Sequence, residues 1–187
     1  ITAIRSLLGW MGIESSETDG AGIRDGSLVG AALLCVPGGN MYEYAQDLGD
    51  TGVQAVRDFV AGGGGYLGVC GGAYFSATRV IWQGRRLAMR SLALFEGTAQ
   101  GPLDDIAPYP ECAMCEVQIA DRTHAITREE PAAEWILYCY GPSLNPAADS
   151  SVTVLGRYAD SKRPAALAVS YGSGRAFLIG THPEIEE

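Results

Sequence analysis

Ile4, Leu7, Leu8 and Met11 fall on one face at helical spacing, which predicts an amphipathic helix over residues 3–11. Residues 31–37, AALLCVP, form instead a continuous apolar run closed by Pro37, Gly38 and Gly39. That is the pattern of a buried strand feeding a loop at its carboxyl end, so 37–43 reads as a functional loop. Helical spacing returns at Val53, Val56, Phe59 and Val60 and stops at the glycines of 62–65, after which residues 66–69 read as a second buried strand. Strand, helix, strand in this order implies a parallel pair joined by a crossover. Residues 71–78 are small and suit a helix that starts directly behind the strand. From about residue 80 to 120 the chain breaks into shorter extended pieces, including 90–95 and 116–120. Residues 152–158, 165–171 and 175–180 read as strands, with a hairpin turn at Gly172, Ser173 and Gly174 between the last two. The expected architecture is an α/β sandwich whose mixed sheet ends in an antiparallel tail.

With 187 residues, 47% apolar and 19% charged, the chain can bury one sizeable core, so a single globular domain over 1–187 is expected and disorder is excluded. No apolar run reaches the roughly 18 residues a bilayer span requires. The net charge of −9, with no basic stripe, makes nucleic acid and membrane surfaces poor partners. The 25 glycines are nearly twice the usual ~7% and gather at 38–39, 62–65 and within 68–72, which points to tight turns near a site. Five cysteines argue against a disulfide-built scaffold and leave at least one thiol unpaired. Cys112 and Cys115 form C-x-x-C, read as a local disulfide or as two ordinary thiols. His124 and His182 stand in unrelated segments, so neither a metal site nor a cofactor is expected. Localisation stays open, with the cytoplasm slightly favoured over export after removal of a leader.

Chemistry concentrates in Gly68-Val69-Cys70-Gly71-Gly72, which fits G-x-nucleophile-x-G at the end of one strand and the start of a helix. A side chain two residues either side of the nucleophile would strike neighbouring backbone, so Gly68 and Gly72 expose the sulfur. Unpaired N–H groups at a helix N-terminus favour thiolate, and the Gly71 amide faces a developing oxyanion. Pro37-Gly38-Gly39-Asn40, at the end of a parallel strand, supplies the second amide, from Gly39. His182 and Glu184 are separated by Pro183, which biases His182 toward extended backbone, so both side chains project to one side. His182 then takes the proton from Cys70 and returns it to a leaving amine, with Glu184 supporting the imidazolium. Gly38, Asn40, Tyr42 and Tyr74 are the expected substrate contacts, with Glu43 beside them. Cys35 reads as a small buried hydrophobe and His124 as a loop residue. Tyr138, Cys139 and Tyr140 suit either a pocket wall or packing.

PGG at 37–39, GVCGGAYF at 68–75 and HPE at 182–184, in this order, resemble the class I glutamine amidotransferase-like superfamily. With LFEGTA at 94–99, YGP at 140–142 and the closing GTHPE, the chain is similar to the branch named for the N-terminal domain of biotin-protein ligases, over roughly residues 30–187. The resemblance implies a flavodoxin-like three-layer fold with a mostly parallel central sheet and an antiparallel extension. It also implies a Cys70-His182-Glu184 triad and an oxyanion hole at the Gly39 and Gly71 amides. It departs from true glutaminases at Tyr74, where they carry Gln. The family's first strand and final helix have no counterpart here, so the domain is expected to lack both. The expected activity is hydrolysis or transfer at an amide C–N bond of a small-molecule or peptide-like substrate, through a thioester, alone or with a synthetase partner. A non-catalytic binding or regulatory module that retains the elbow, and a peptidase-like relative, are the other readings.

Overall fold

The computed structural model describes residues 1–148 and 151–185; residues 149–150 and 186–187, which include the end of the expected 1–187 domain, lie outside the described residues. Helix α1 (Thr2–Trp10) buries Ile4 and Leu8, as the spacing predicts. A short α2 (Gly20–Arg24) follows, its Asp19 cap accepting from Gly22 N at 2.8 Å. Strand β1 (Leu33–Val36) leads into α3 (Met41–Ala61), which starts behind the Asn40 cap and breaks at Gly49, where φ is 56°. The open loop is therefore only 37–40, because Asn40 already begins the helix. Strand β2 (Gly65–Val69) ends at Cys70, α4 (Gly71–Phe75) stops after five residues, and β3 (Ala77–Trp82) starts at once.

β3 belongs to a separate four-stranded sheet with β4 (Arg85–Arg86), β5 (Phe95–Gly101) and β8 (Ser143–Pro146). The extended piece expected at 90–95 thus falls mostly ahead of β5 and meets it only at Phe95. The larger sheet contains seven strands among the described residues, completed by β6 (Ala113–Ile119), β7 (Ala133–Tyr138), β9 (Val152–Tyr158), β10 (Pro164–Tyr171) and β11 (Gly174–Ile179). Its order is β1-β2-β11-β10-β9-β6-β7.

That sheet is mixed and mostly antiparallel, which corrects the expectation of a mostly parallel one. Only β1 with β2, and β2 with β11, run parallel. The remaining neighbours are antiparallel. The reason lies in the connections: β9, β10 and β11 follow one another through short turns, which reverse the chain, whereas a parallel pair needs a crossover as long as α3. Alternate residues of β11 separate the two faces. Ala176 and Leu178 join Val53, Val56 and Val60 of α3, with Phe75 and Leu144, in the main core. Phe177 and Ile179 turn the other way, with Leu155, Ala166 and Ile4 of α1. Helices thus stand on both faces, an α/β arrangement compatible with three layers.

Candidate active site

Strand register brings the site together. Because β2 and β11 are parallel with Val69 opposite Ile179, both strands finish at the same edge of the sheet, and Cys70 N donates to Ile179 O at 2.9 Å. Whatever follows β11 must therefore emerge beside Cys70. The tail is then held in place by a bridge to β7, with His182 N donating to Leu137 O at 2.8 Å. Gly141 lies so close to Gly180 that an added Cβ would enter the Gly180 peptide, which presses the 137–142 segment onto the tail.

Cys70 has φ 48° and ψ −102°, a conformation that non-glycine residues rarely adopt and that costs on the order of 1–3 kcal/mol. The surrounding glycines enforce it. A Cβ at Gly68 would sit 2.7 Å from the Tyr66 ring and 2.8 Å from Gly72 O, and one at Gly72 would strike the Val36 carbonyl. Gly72 N donates to Pro37 O at 3.1 Å, and Tyr66 Oη donates to Gly72 O at 2.9 Å. The elbow expected from G-x-C-x-G is present, on a shorter helix than anticipated.

Cys70 is 7% exposed, and its Sγ lies 3.4 Å from Cys139 O. His182 Nδ1 is 2.9 Å from Glu184 Oε1, both side chains being largely buried. Burial pulls the imidazole pKa down, but hydrogen bonds and charge from Cys70 and Glu184 outweigh it and raise the value to about 10. Among the described residues Glu184 Oε2 has no hydrogen-bond partner, which leaves His182 as the one side chain that pairs with this buried carboxyl group.

The other predicted residues divide. Gly38 lies between Cys70 and His182: a Cβ there would be 3.5 Å from Cys70 Cβ and 2.6 Å from His182 Cε1. Gly39 and Gly71 meet backbone to backbone, a Cβ on Gly71 coming 2.8 Å from Gly39 N. Tyr42 is exposed at the start of α3, its N–H donating to Asn40 Oδ1 at 3.0 Å. Asn40 also donates through Nδ2 to Glu43 Oε1 at 3.1 Å, so its side chain is occupied in capping α3 rather than open to substrate. Tyr74 is a correction as well. It is 1% exposed, its hydroxyl donates to Tyr140 O at 2.9 Å, and its ring meets Trp82 edge-on, so it packs behind the site and holds the 139–142 segment. Proximity to Cys70 in sequence does not carry over, since Trp82 and the Tyr140 carbonyl enclose the ring and its hydroxyl.

Neither alternative for Cys112 and Cys115 holds. Cys112 bonds to Cys139 across the end of the β6–β7 ladder, and Cys115 is a buried thiol whose pKa burial pushes up to about 11. Cys35 is a half-buried thiol, its pKa also raised by burial. His124 stays in its loop, Nδ1 accepting from Ile126 N at 3.2 Å. Among the described residues no three His, Cys, Asp or Glu side chains gather as metal ligands would, and no helix is long and apolar enough to cross a membrane. The residue that sequence reading missed is Tyr44, beneath the 37–39 loop, signalled only by standing one helical turn after the Asn40 cap. Cys139, read as pocket wall or packing, supplies the carbonyl facing the sulfur. A cleft of about 890 Å³ on the open face of the large sheet is lined by His182 and Pro183 but not by Cys70.

Residues 27–187 match the family described as "Biotin-protein ligase, N terminal". The chain is 32% identical over 165 residues to a biotin–protein ligase of Schizosaccharomyces pombe, which covers 82% of this chain and only 25% of that relative's length. Among solved structures, a protein from Thermoplasma acidophilum described as a candidate GMP synthase component superposes with a TM-score of 0.65 at 16% identity, over 98% of this chain and 78% of that one. PurLQS from Thermotoga maritima superposes with a TM-score of 0.56 at 15% identity, over 82% of this chain and 69% of its own. By that family match, which spans most of its length, the chain belongs to the biotin-protein ligase N-terminal family.

Proposed function

We propose that this chain acts as one domain that cleaves an amide C–N bond through a thioester on Cys70, with His182 and Glu184 completing the triad. The single observation that supports the reading is the strained elbow at Cys70, with only Gly38 between its side chain and the His182 ring, whose Nδ1 lies 2.9 Å from Glu184 Oε1. On this reading the Cys70 sulfur attacks the carbonyl carbon, and the carbonyl oxygen takes the negative charge between the Gly39 and Gly71 amides. As the C–N bond breaks, His182 gives its proton to the nitrogen, and the amine leaves a thioester behind. Water then attacks the thioester with neutral His182 taking its proton. The acid departs, and the proton on His182 restores the starting pair.

The β1–β2–β11 trio with its α3 crossover supports a flavodoxin-like ancestry for this end of the sheet. With Tyr74 enclosed behind the elbow, the Gln position of true glutaminases contributes no side chain to the substrate, so a small-molecule or peptide-like amide fits better than free glutamine. A synthetase partner that consumes the released amine is part of this proposal. In the test, iodoacetamide or an electrophilic glutamine analogue at neutral pH labels Cys70 ahead of Cys35 and Cys115, read by peptide mass spectrometry. Amidase and glutaminase assays then compare wild type with Cys70→Ala, which loses at least about 10³-fold of any turnover. Equal labelling of the three thiols, with no turnover, defeats the enzyme reading.

One observation favours a second reading, a binding or regulatory module within a larger ligase: the sulfur is buried and hydrogen-bonded to Cys139 O. It predicts the same elbow with neither selective labelling nor turnover.

A further inference from the structure

Pro37 O is the joint between the two halves of the oxyanion site. It accepts from Gly72 N of the elbow at 3.1 Å and from the Tyr44 hydroxyl at 3.1 Å. Tyr44 stands on the first turn of α3, its own N–H donating to Asn40 O at 3.3 Å. Its hydroxyl also abuts Gly39 so closely that a Cβ on Gly39 would land on the oxygen. On the other side its ring meets Phe75 of α4 edge-on, with centroids 6.2 Å apart. One half-buried side chain thus touches the loop that carries one amide and the helix that carries the other.

We propose that Tyr44 is a positioning residue that sets the spacing of the Gly39 and Gly71 amides by bracing Pro37 and Gly39 from beneath. The inference rests on the reading of Cys70 as an acyl-accepting nucleophile. Carbonyl oxygens have two lone pairs, and the Gly72 amide uses one at Pro37. The second belongs to Tyr44, and without it the Pro37 carbonyl keeps only the Gly72 amide. Burial first, then the charges of Cys70 and Glu43, push the phenol up to about 12, so it stays a proton donor over the working range. The hydroxyl does not reach substrate; it acts by holding the amide of a neighbouring glycine.

Two reagents separate positioning from general damage. With p-nitrophenyl acetate, the Cys70 sulfur attacks the ester carbonyl, p-nitrophenolate leaves and a thioester remains; the step passes through an oxyanion and depends on the two amides. With iodoacetamide the same sulfur displaces iodide at a saturated carbon, and no oxyanion forms. The full chain and its Tyr44→Phe variant are reacted with each, and modification at Cys70 is followed by peptide mass spectrometry beside a thermal melt. Removal of a direct oxyanion donor costs about 10²–10³-fold, so a displaced amide is expected to slow acylation about tenfold, with alkylation within about twofold.

Equal acylation in variant and wild type overturns the inference. A parallel fall in both reactions also overturns it, because the sulfur itself has then been disturbed, and so does an unfolded Tyr44→Phe. Should wild-type Cys70 react no faster than Cys35 with either reagent, the enzyme reading fails first, and that is visible before the variant is measured.

Discussion

The surroundings of Cys70 and His182, the proposed catalytic pair, are built differently. Around Cys70 the geometry is local: Gly68, Cys70, Gly71 and Gly72 lie within five consecutive positions, and the backbone around the three glycines excludes any side chain larger than hydrogen. Around His182 it is assembled from distant pieces. The tail depends on the register of β11 against β2, on the bridge to Leu137, and on the 137–142 segment that Tyr74, Tyr138 and Tyr158 hold through carbonyls of Tyr140, Gly141 and Pro142. A nucleophile can be encoded in a pentapeptide. Its acid–base partner needs a fold.

Damage at the elbow should therefore be sharp and damage around the tail graded. Gly72→Ala drives a methyl into the Val36 carbonyl, so it is expected to abolish selective Cys70 labelling and to lower stability by about 2–3 kcal/mol, read by urea denaturation. Cys112→Ser opens the cross-link to Cys139, 27 residues away, and should cost about 3 kcal/mol in the same measurement while leaving the elbow's labelling rate much closer to wild type.

Glu184→Gln removes the carboxylate that helps hold the imidazolium. It should slow turnover by about 10–100-fold and shift the alkaline limb of the pH–rate profile downward from about 10. The sign for stability is the same. His182 has a folded pKa above its unfolded value of about 6.5, so its contribution is complete below that pH and is lost as pH rises through about 10. Melts across pH 6–10 should fall for wild type and change less for Glu184→Gln. The mildest change is Tyr138→Phe. Its hydroxyl donates to Gly141 O at 3.0 Å and accepts from Leu103 N at 2.5 Å, so about 1–2 kcal/mol of stability should go, with a small drop in turnover from a looser 139–142 segment.

The reach of sequence reading follows the same division. The Cys70 elbow, the Gly38–Gly39 turn and the spacing of His182 and Glu184 are all legible, because each is a short-range steric or tautomeric requirement that few residue types meet. Tyr74 is misplaced by sequence reading because its partners, Trp82 and the Tyr140 carbonyl, come from other parts of the chain, and Asn40 because a polar residue at a loop end caps a helix as readily as it meets a ligand. Pairing of Cys112 with Cys139 instead of a link to Cys115 depends on the β6–β7 register, which side-chain alternation alone does not specify.

By itself the order of residues determined where the strained turn at Cys70 can form, which glycines must surround it and that His182 and Glu184 can pair, since those are matters of backbone strain and covalent distance. Only the tertiary structure decided that the large sheet is mostly antiparallel, that β2 and β11 end side by side, and that a tyrosine on α3 reaches the Pro37 carbonyl. Strand pairing is chosen by the burial of whole faces and the closure of loops across the molecule, and no single stretch of the chain contains that sum.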